Sequence, residues 1–336
     1  MCKAITADLN LYSPSSISNQ SLIANAQNIE SLSLKQNSPI KTSDGAAISC
    51  ELHNFILANT NGFNLGYKTS RYSKHISLIG ESKDGLQTDY WYDVTRDFND
   101  LISDEELAAT AVTRTKRRLH KGRLKAAKKY PVIFEAAIAK SLISTYLNAV
   151  SGSNLFRRLS FLNDSLGQQI FPEWVNIEED PYITKGIASG YFDNEGVTVI
   201  KRSLVNNGQV NGYLLGCYSA RKMELISTGN AGGCHNILVT PNFSGDLLTL
   251  AKTMGSGLII IETIGHGVNM VTGDYSVGAS GLWVENGSIQ FFVDNLTISG
   301  NLRQIFADIV HIGDDYSPHE QIQCGSILVD GINVSL

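Results

Sequence analysis

Side chains that could bind a catalytic metal are few in this sequence and widely scattered. A zinc peptidase commonly places two histidines one turn apart on a helix, with a glutamate beside the first that acts as the base. Neither His-Glu-x-x-His nor a version one residue longer occurs in the chain. The helix predicted after Phe134 contains Glu135 but no histidine. The usual metallopeptidase helix motif is therefore absent.

Other candidate metal ligands are the adjacent pair Cys234-His235, His266, and a C-terminal set made of His311, His319 and Cys324. Neighbouring side chains on a regular strand point to opposite faces, so Cys234 and His235 reach one ion only if nearby glycines bend the backbone. One interpretation is a zinc site built from Cys234, His235 and Cys324. The other is a small buried cysteine beside a hydrogen-bonded histidine.

Ser276, Asp274 and His266 contain the residue types of a serine nucleophile with its base and orienting acid. No Gly-x-Ser-x-Gly elbow is present, and a triad is defined by a geometry that a sequence does not display.

Two further segments are predicted to be turns rather than sites. The glycine-rich segment Thr228–Gly233 could offer backbone amides to a phosphate, but it lacks the Gly-Lys-Ser/Thr ending of a P-loop. Asp193 and Glu195 are closely spaced carboxylates, for which a solvated turn is the default interpretation.

The segment Gly265–Gly287, GHGVNMVTGDYSVGASGLWVENG, combines many glycines with side chains that favour burial. Glycine permits positive φ and close approach of the backbone to other atoms. Flexible linkers lack interleaved residues such as Val268, Tyr275 and Trp283. Asn286-Gly287 is a strong signal for a tight hairpin turn. The segment predicts a packed loop that leads into a hairpin.

Residues 1–122 are predicted to form an α+β domain. A helical pattern after Pro14 places four apolar residues on one face, namely Leu22, Ile23, Ala26 and Ile29. From Ile48 to about Asp97 the residues alternate as in antiparallel hairpins, with turns at Asn61-Gly62 and Asp84-Gly85. Ser103 and Glu106 then form a capping box for a helix that continues to about Gly122.

The one strong charge run lies at residues 114–129, at the predicted domain boundary. Its cations are Arg114, Lys116, Arg117, Arg118, Lys121, Arg123, Lys125, Lys128 and Lys129. We interpret it as a solvated helix face with cations at the helix C-terminus, where the dipole favours them. An anionic partner is the alternative.

Residues 123–336 are predicted to form a β-rich domain that begins with a strand at Pro131–Phe134 and a long helix to about Val150. Tight turns are predicted at Asn207-Gly208, Asn286-Gly287 and Asp330-Gly331. Two later helices are predicted at Ser244–Met254 and from Asn301 to about Ile309. The predicted fold class is α+β, mainly antiparallel sheets with hairpins, packed by a few helices.

Composition excludes several classes of function. A net charge of -5 argues against general nucleic-acid affinity, which usually comes with a strongly basic domain. The apolar runs are too short to span a bilayer, and no signal-peptide pattern is present. Five scattered cysteines do not form a disulfide framework. We therefore expect a cytoplasmic protein that binds neither nucleic acid nor membrane.

Five long motifs, together with DLNLY near the start, extend over nearly the whole chain. They are FDNEG at Phe192–Gly196, YSARK at Tyr218–Lys222, STGNAGGCHN at Ser227–Asn236, GVNMVTGDYSVGASGLWVENGSIQ at Gly267–Gln290 and LTISGNL at Leu296–Leu302. These motifs resemble the TldD/PmbA metallopeptidase family, specifically its PmbA branch, also called TldE. The resemblance implies a cytoplasmic heterodimeric zinc peptidase that degrades or trims small unfolded peptides, including precursors of ribosomally made peptide antibiotics and some antitoxins.

The resemblance also implies how roles divide between subunits. The TldD-type subunit carries the metal on a His-Glu-x-x-x-His helix completed by a cysteine near the C-terminus, and the PmbA-type subunit lacks the helix motif. In this chain the corresponding helix, Phe134–Val150, has no histidine, and Cys324 lies roughly where that cysteine is expected. We therefore expect no catalytic residue, metal ligand or cofactor in this chain, and zinc in a TldD-like partner. The residues expected to line a peptide channel or interface are His266, Asn269, Gly273, Asp274, Tyr275, Ser276, Cys234, His235 and Asn236.

The sequence departs from the family pattern in two places. PmbA-type proteins usually begin with an additional domain, and this chain starts where that domain would end, which predicts a truncated or split form or a partner that supplies the missing surface. His266 stands where relatives are expected to carry glutamine. Two alternatives stay open: an independent peptidase that uses Cys234, His235 and Cys324, and an inactive truncated remnant.

Overall fold

The computed structural model describes residues 1–5, 7–35 and 39–336, which fall into two compact units. The smaller unit comprises 7–35, 39–122 and Ile183–Ser189, and the larger unit comprises Met1–Ile5, Arg123–Tyr182 and Gly190–Leu336. Helices and mainly antiparallel sheets are both present, which confirms the α+β class. None of the described helices has the length and apolar character needed to cross a membrane.

The described part of the smaller unit contains a three-stranded antiparallel sheet, two α-helices and a short 3₁₀ helix at Phe98–Asp100. Its elements are α1 (Asn19–Lys35), β1 (Ile40–Ala58), β2 (Asn64–Ser82), β3 (Gly85–Thr95) and α2 (Asp104–Arg117). The predicted turns at Asn61-Gly62 and Asp84-Gly85 connect the strands, in the order β1-β2-β3. The first hairpin is longer than predicted, because β1 begins at Ile40 rather than near Ile48.

The core of the smaller unit lies between the sheet and the helices. Ile76 and Leu78 alternate along β2 towards a cluster formed by Ile29, Leu107, Ala111 and Val112. The predicted apolar face of α1 is wrong at Ile23, which is 58% exposed. Helix α1 contacts the core through its C-terminal half, where Ile29 and Ser33 are buried, so Ile23 near its start stays exposed.

Helix α2 begins as predicted but ends earlier. Ser103 Oγ accepts the Glu106 N–H at 3.1 Å, which confirms the N-terminal cap, whereas the helix ends at Arg117 rather than near Gly122. The interpretation of its basic end as a solvated face is wrong for Arg114 and Arg118, which are buried and donate to Asp89 at 3.3 and 2.9 Å. The Asp89 carboxylate is buried, and a buried charge requires such partners.

The larger unit contains two sheets and five helices. Its strands are β4 (Lys128–Phe134), β5 (Ile177–Asp180), β6 (Arg202–Asn206), β7 (Gln209–Val210), β8 (Asn236–Val239), β9 (Gly257–Ile264), β10 (Asp274–Glu285), β11 (Ser288–Asn301), β12 (Ile309–Ile312), β13 (Ile322–Gln323) and β14 (Ile327–Ser335). Its helices are α3 (Ala136–Ala149), α4 (Gly152–Leu155), α5 (Cys217–Lys222), α6 (Leu247–Met254) and α7 (Leu302–Ala307).

The first sheet has the order β11-β10-β9-β4-β14-β12, and β11 also pairs with β14 at Thr297–Ser299. This extra pairing closes β11, β10, β9, β4 and β14 into a ring of five strands, which we call the strand ring. The second sheet has the order β13-β8-β5-β6-β7. Two pairs, β4–β9 and β13–β8, are parallel within otherwise antiparallel sheets.

The predicted turns of the larger unit are confirmed except at one position. Asn207-Gly208 and Asn286-Gly287 have positive φ and connect hairpins. Asp330-Gly331 is not a hairpin, because β14 continues through it and pairs with β4 on both sides. Gly331, at φ +94°, lies at a register shift between Val329 and Ile332 and forms a bulge.

The three predicted helices of the larger unit are confirmed with shifted ends. Helix α3 presents a buried face that includes Leu142, Ile143 and Tyr146. Helix α6 begins after its cap Asp246 and ends at Met254, followed by its C-terminal cap Gly255 at φ +76°. Helix α7 is shorter than predicted and begins after its cap, Asn301.

Candidate functional site

The loop between β9 and β10, residues 265–273, is closed by its own backbone hydrogen bonds. The Asn269 N–H donates to Asp274 O at 2.8 Å, and the Gly273 N–H donates to Asn269 O at 2.8 Å. Val268 forms an isolated β-bridge with Tyr275. The loop is therefore a defined structure rather than a linker, as its sequence predicts.

Gly267 makes the tightest approach in this loop. Its carbonyl accepts the Ser276 N–H at 2.7 Å, and a Cβ added at Gly267 would lie 1.5 Å from Ser276 O. Any larger residue would therefore force the two backbone segments apart. Gly273 has another reason to be glycine, since it is buried with φ +79°.

Neighbouring segments anchor the loop. The Phe161 N–H donates to Met270 O at 2.7 Å, and the Leu302 N–H donates to Gly273 O at 2.7 Å. The Asn301 side-chain amide donates to Thr272 O at 3.1 Å. The loop is thus held from two sides, by Phe161 and by the start of α7.

Strand alternation sorts the side chains of the Gly-Asp-Tyr-Ser core. Tyr275 points inward and is 5% exposed, and its burial raises the pKa of the phenol to about 12. Asp274 and Ser276 are exposed, as are His266 and Asn269 earlier in the loop. The Asp274 carboxylate accepts the Thr272 hydroxyl at 2.7 Å. The loop presents polar hydrogen-bonding groups on a fixed backbone.

A second network surrounds the Cys234-His235-Asn236 segment and centres on Glu179. This carboxylate is 1% exposed and accepts from Arg202 Nε at 2.9 Å and Asn230 Nδ2 at 2.6 Å. It also accepts the backbone N–H of His235 at 2.8 Å. Since three donors satisfy the buried charge, Glu179 fixes the position of the chain at His235.

Asp193 has an equivalent role in the neighbouring turn, and its interpretation as part of a solvated turn is wrong. It is 4% exposed and accepts the N–H groups of Glu195, Val197 and Ala231 at 2.9 to 3.0 Å. Glu195 in turn accepts the Cys217 N–H at the start of α5 at 2.7 Å. These bonds bring three of the sequence motifs together.

Cys234, His235 and Asn236 occupy structural positions around this network. The Cys234 thiol is partly buried, and burial, followed by the charge of Glu179, raises its pKa to about 11. The His235 ring Nε2 lies 3.4 Å from Gly229 O. Asn236 is buried and donates to Asp180 O at 2.8 Å. This environment is that of a partly buried cysteine beside a histidine whose ring contacts a backbone carbonyl.

The Cys324 segment packs against the start of α3. Ser326 Oγ accepts the Ala136 N–H at 3.0 Å and donates to the Asp315 carboxylate at 2.7 Å. Lys140 of α3 pairs with Glu320 at 2.9 Å. Cys324 itself is 2% exposed, donates to Gly325 O at 3.4 Å, and has a thiol pKa raised by burial.

The residues present do not fit a zinc ion. Structural zinc takes four ligands and catalytic zinc takes three protein ligands, drawn mainly from Cys, His, Asp and Glu. Within residues 1–5, 7–35 and 39–336, no group of three or more such side chains is arranged to hold a metal. Cys234, His235 and Cys324 are therefore not brought together as a ligand set, and α3 contains none of the four residue types.

Sequence reasoning did not identify Glu179, Arg202 and Asn230 as a network. Glu179 stands in the run Glu178-Glu179-Asp180, where composition alone indicates a solvated acidic segment. The only available signal is the alternation of β5, in which Ile177 and Glu179 share a buried side. Arg202 and Asn230 are distant in sequence, so only the fold reveals the partners.

Comparison with known proteins covers both units. Residues 12–119 match the model of the PmbA/TldA metallopeptidase central domain, and residues 127–336 match the model of the C-terminal domain. A Haemophilus influenzae metalloprotease PmbA homolog is 39% identical over 328 residues, which span 98% of this chain and 72% of that protein. Metalloprotease PmbA of Escherichia coli O157:H7 is 38% identical over 331 residues, with the same shares.

Solved structures share the fold. A Bacteroides thetaiotaomicron protein described as a candidate modulator of DNA gyrase has a TM-score of 0.93 at 25% identity, covering 99% of this chain and 76% of that one. TldE from Thermococcus kodakarensis has a TM-score of 0.82 at 19% identity, covering 99% and 80%, and this likeness concerns the fold alone. By its two domain matches and its relatives, the chain belongs to the PmbA/TldD metallopeptidase family, in the PmbA branch.

Proposed function

We propose that this chain is the non-catalytic subunit of a cytoplasmic heterodimeric zinc metallopeptidase that degrades or processes small unfolded peptides. The observation that carries the proposal is the composition of α3. In the family this helix is the expected carrier of the His-Glu-x-x-x-His motif. In this chain its sequence is AAIAKSLISTYLNA, which contains no side chain that zinc prefers.

The contacts around α3 support a helix that is held firmly in place although it carries no zinc ligand. Ser326 and Asp315 hold the N-terminus of the helix, and Lys140 pairs with Glu320. Cys324 follows β13 in this same segment, but its thiol is buried and its raised pKa keeps it protonated at neutral pH. Among the described residues, no set of three or more His, Cys, Asp or Glu side chains that includes Cys324 is arranged to hold a metal.

In this proposal the loop between β9 and β10 lines the peptide channel or the subunit interface. Its exposed groups, His266, Asn269, Asp274 and Ser276, stand on a backbone fixed by hydrogen bonds. A fixed surface of this kind lowers the entropy cost of binding an extended peptide. Gly273 and Tyr275 are buried and shape the loop from within.

Cys234, His235 and Asn236 form the second part of the proposed lining. Asn236 is buried, so it contributes by holding β8 in place, whereas Cys234 and His235 are partly exposed. The five cysteines are all free thiols, which suits a reducing compartment.

Pairing with a TldD-type subunit is tested by co-expression. We expect the two chains to elute together in size-exclusion chromatography at equal amounts. When each chain is run alone, zinc should be found with the TldD-type chain. The control is each chain expressed alone and run on the same column. Separate elution of the two chains at micromolar concentration would contradict the proposal.

A further inference from the structure

A pocket of about 250 Å³ lies at the end of the strand ring where β4 begins and the β10–β11 turn is found. Its floor consists of Tyr130 on β4, Trp283 on β10 and Phe291 on β11. Trp283 and Phe291 are direct partners across the β10–β11 pair. The Tyr130 ring meets Trp283 edge to face at 5.4 Å. The floor therefore suits an apolar or aromatic group.

The rim of the same pocket is cationic. Arg123, Lys125 and Lys128 line it and are exposed, and Glu285 is the carboxylate among the lining residues. Lys128 Nζ lies 4.9 Å from the centroid of the Tyr130 ring. Three cations against one anion form a positive site in a protein of net charge -5. An anionic group placed beside the aromatic floor would complement this rim.

The pocket is pre-formed by the cationic segment itself. The Tyr130 hydroxyl donates to Ala126 O at 2.9 Å, and this bond fixes the cationic segment to β4 of the strand ring. Leu124 is 8% exposed and packs inward between the rim residues Arg123 and Lys125. Because the walls are already ordered, binding a ligand requires little reorganisation.

We propose that this pocket binds the C-terminal residue of a short peptide, with the α-carboxylate among the rim cations and an apolar or aromatic side chain on the floor. The proposal rests on the proposed function for the peptide nature of the ligand. The volume lies below the roughly 300 Å³ at which small-molecule sites begin, so it suits one residue. A single-stranded nucleic acid fits less well, since its charges repeat along a groove that several bases share.

The test uses the full chain alone and peptides acetylated at the N-terminus. A tripeptide that ends in phenylalanine as the free acid is compared with its C-terminal amide and with a peptide that ends in serine. Titration calorimetry should show the free acid binding about tenfold more tightly than the amide, as expected when one charge-assisted hydrogen bond is lost. The serine peptide should bind more weakly than the phenylalanine peptide, because the aromatic floor stays unfilled.

Charge variants test the rim. Lys125→Gln changes the rim alone, whereas Lys128→Gln also removes the Lys128 contact with the Tyr130 ring. Lys125→Gln and Lys128→Gln should each weaken binding of the free acid several-fold. Lys129→Gln should not, since the Lys129 side chain lies across Gly331 and is not among the pocket residues. Equal affinity for acid and amide, equal effects of K128Q and K129Q, or tighter binding of an oligothymidine would each overturn the proposal.

This experiment separates the pocket from the subunit role. It measures binding to the isolated chain, without hydrolysis and without a partner. Loss of the pocket's selectivity therefore overturns the pocket alone, whereas failure to pair with a TldD-type chain overturns the subunit role alone.

Discussion

Buried carboxylates organise the second network of the larger unit. Glu179 accepts hydrogen bonds from Arg202, Asn230 and the backbone at His235. Asp193 accepts two backbone N–H groups of its own turn and that of Ala231 in a separate segment. Leaving such a charge without its partners is costly, because desolvation is no longer offset by hydrogen bonds. These acidic groups have an architectural role rather than that of a general acid or base.

The Cys234 thiol should react slowly at neutral pH and faster as the pH rises. Its pKa is raised to about 11 by burial and then by the charge of Glu179, and the thiolate is the reactive form. Iodoacetamide labelling followed by peptide mass spectrometry should therefore show a rate that rises about tenfold per pH unit below the pKa. Cys50, which is exposed, is the internal control and should be labelled first at neutral pH. Equal labelling of Cys234 and Cys50 at neutral pH would contradict a partly buried thiol that is protonated at that pH.

At the scale of elements, the β9–β10 loop depends on one close backbone approach. Gly267→Ala should disrupt the loop, since the new Cβ would lie 1.5 Å from Ser276 O. Gly265→Ala is the matched control, because it adds the same methyl group where no atom lies within 4 Å. That control should cost only about 1–2 kcal/mol, the usual penalty for a non-glycine residue at positive φ.

Thermal unfolding and hydrogen exchange of peptides from residues 265–276 distinguish the two variants. We expect G267A to lower the melting temperature more than G265A and to lose protection at the Ser276 amide, which donates to Gly267 O. Similar behaviour of the two variants would show that the close approach does not define the loop.

Local chemistry explains which elements were predictable. Asn207-Gly208 and Asn286-Gly287 form hairpin turns, because Asn and Gly readily adopt positive φ. Asp330-Gly331 has the same local chemistry but forms a bulge, since β4 pairs with β14 on both sides of it. The difference lies in tertiary pairing, which short-range patterns do not contain.

The candidate site was predictable to the same extent. The packed character of the glycine-rich loop follows from its interleaved apolar residues, and the absence of a histidine on α3 is read directly from the sequence. The burial of Arg114 and Arg118 follows from Asp89, which lies on β3 rather than on the same helix. Likewise, Glu179 gains its hydrogen-bond donors only because the fold brings β5 next to Arg202 of β6 and to Asn230.

At the scale of the whole molecule, the chain combines the two family domains with a helix α3 that carries no metal ligand. Under the proposed division of roles, catalysis belongs to a partner, and this chain contributes a rigid loop and a peptide-binding pocket. The domain matches establish membership of the family. The division of roles between subunits is the part of the proposal that hydrolysis and zinc measurements test.

The non-catalytic role is tested most directly by peptide hydrolysis with zinc determination, for this chain alone, for a TldD-type subunit alone and for the mixture. We expect cleavage of small unfolded peptides in the mixture and not with this chain alone, with zinc at trace stoichiometry in this chain. A chelator should then abolish hydrolysis by the mixture. Cleavage by this chain alone, with one zinc per chain, would contradict a non-catalytic role and direct mutagenesis to Cys234, His235, His266 and Cys324.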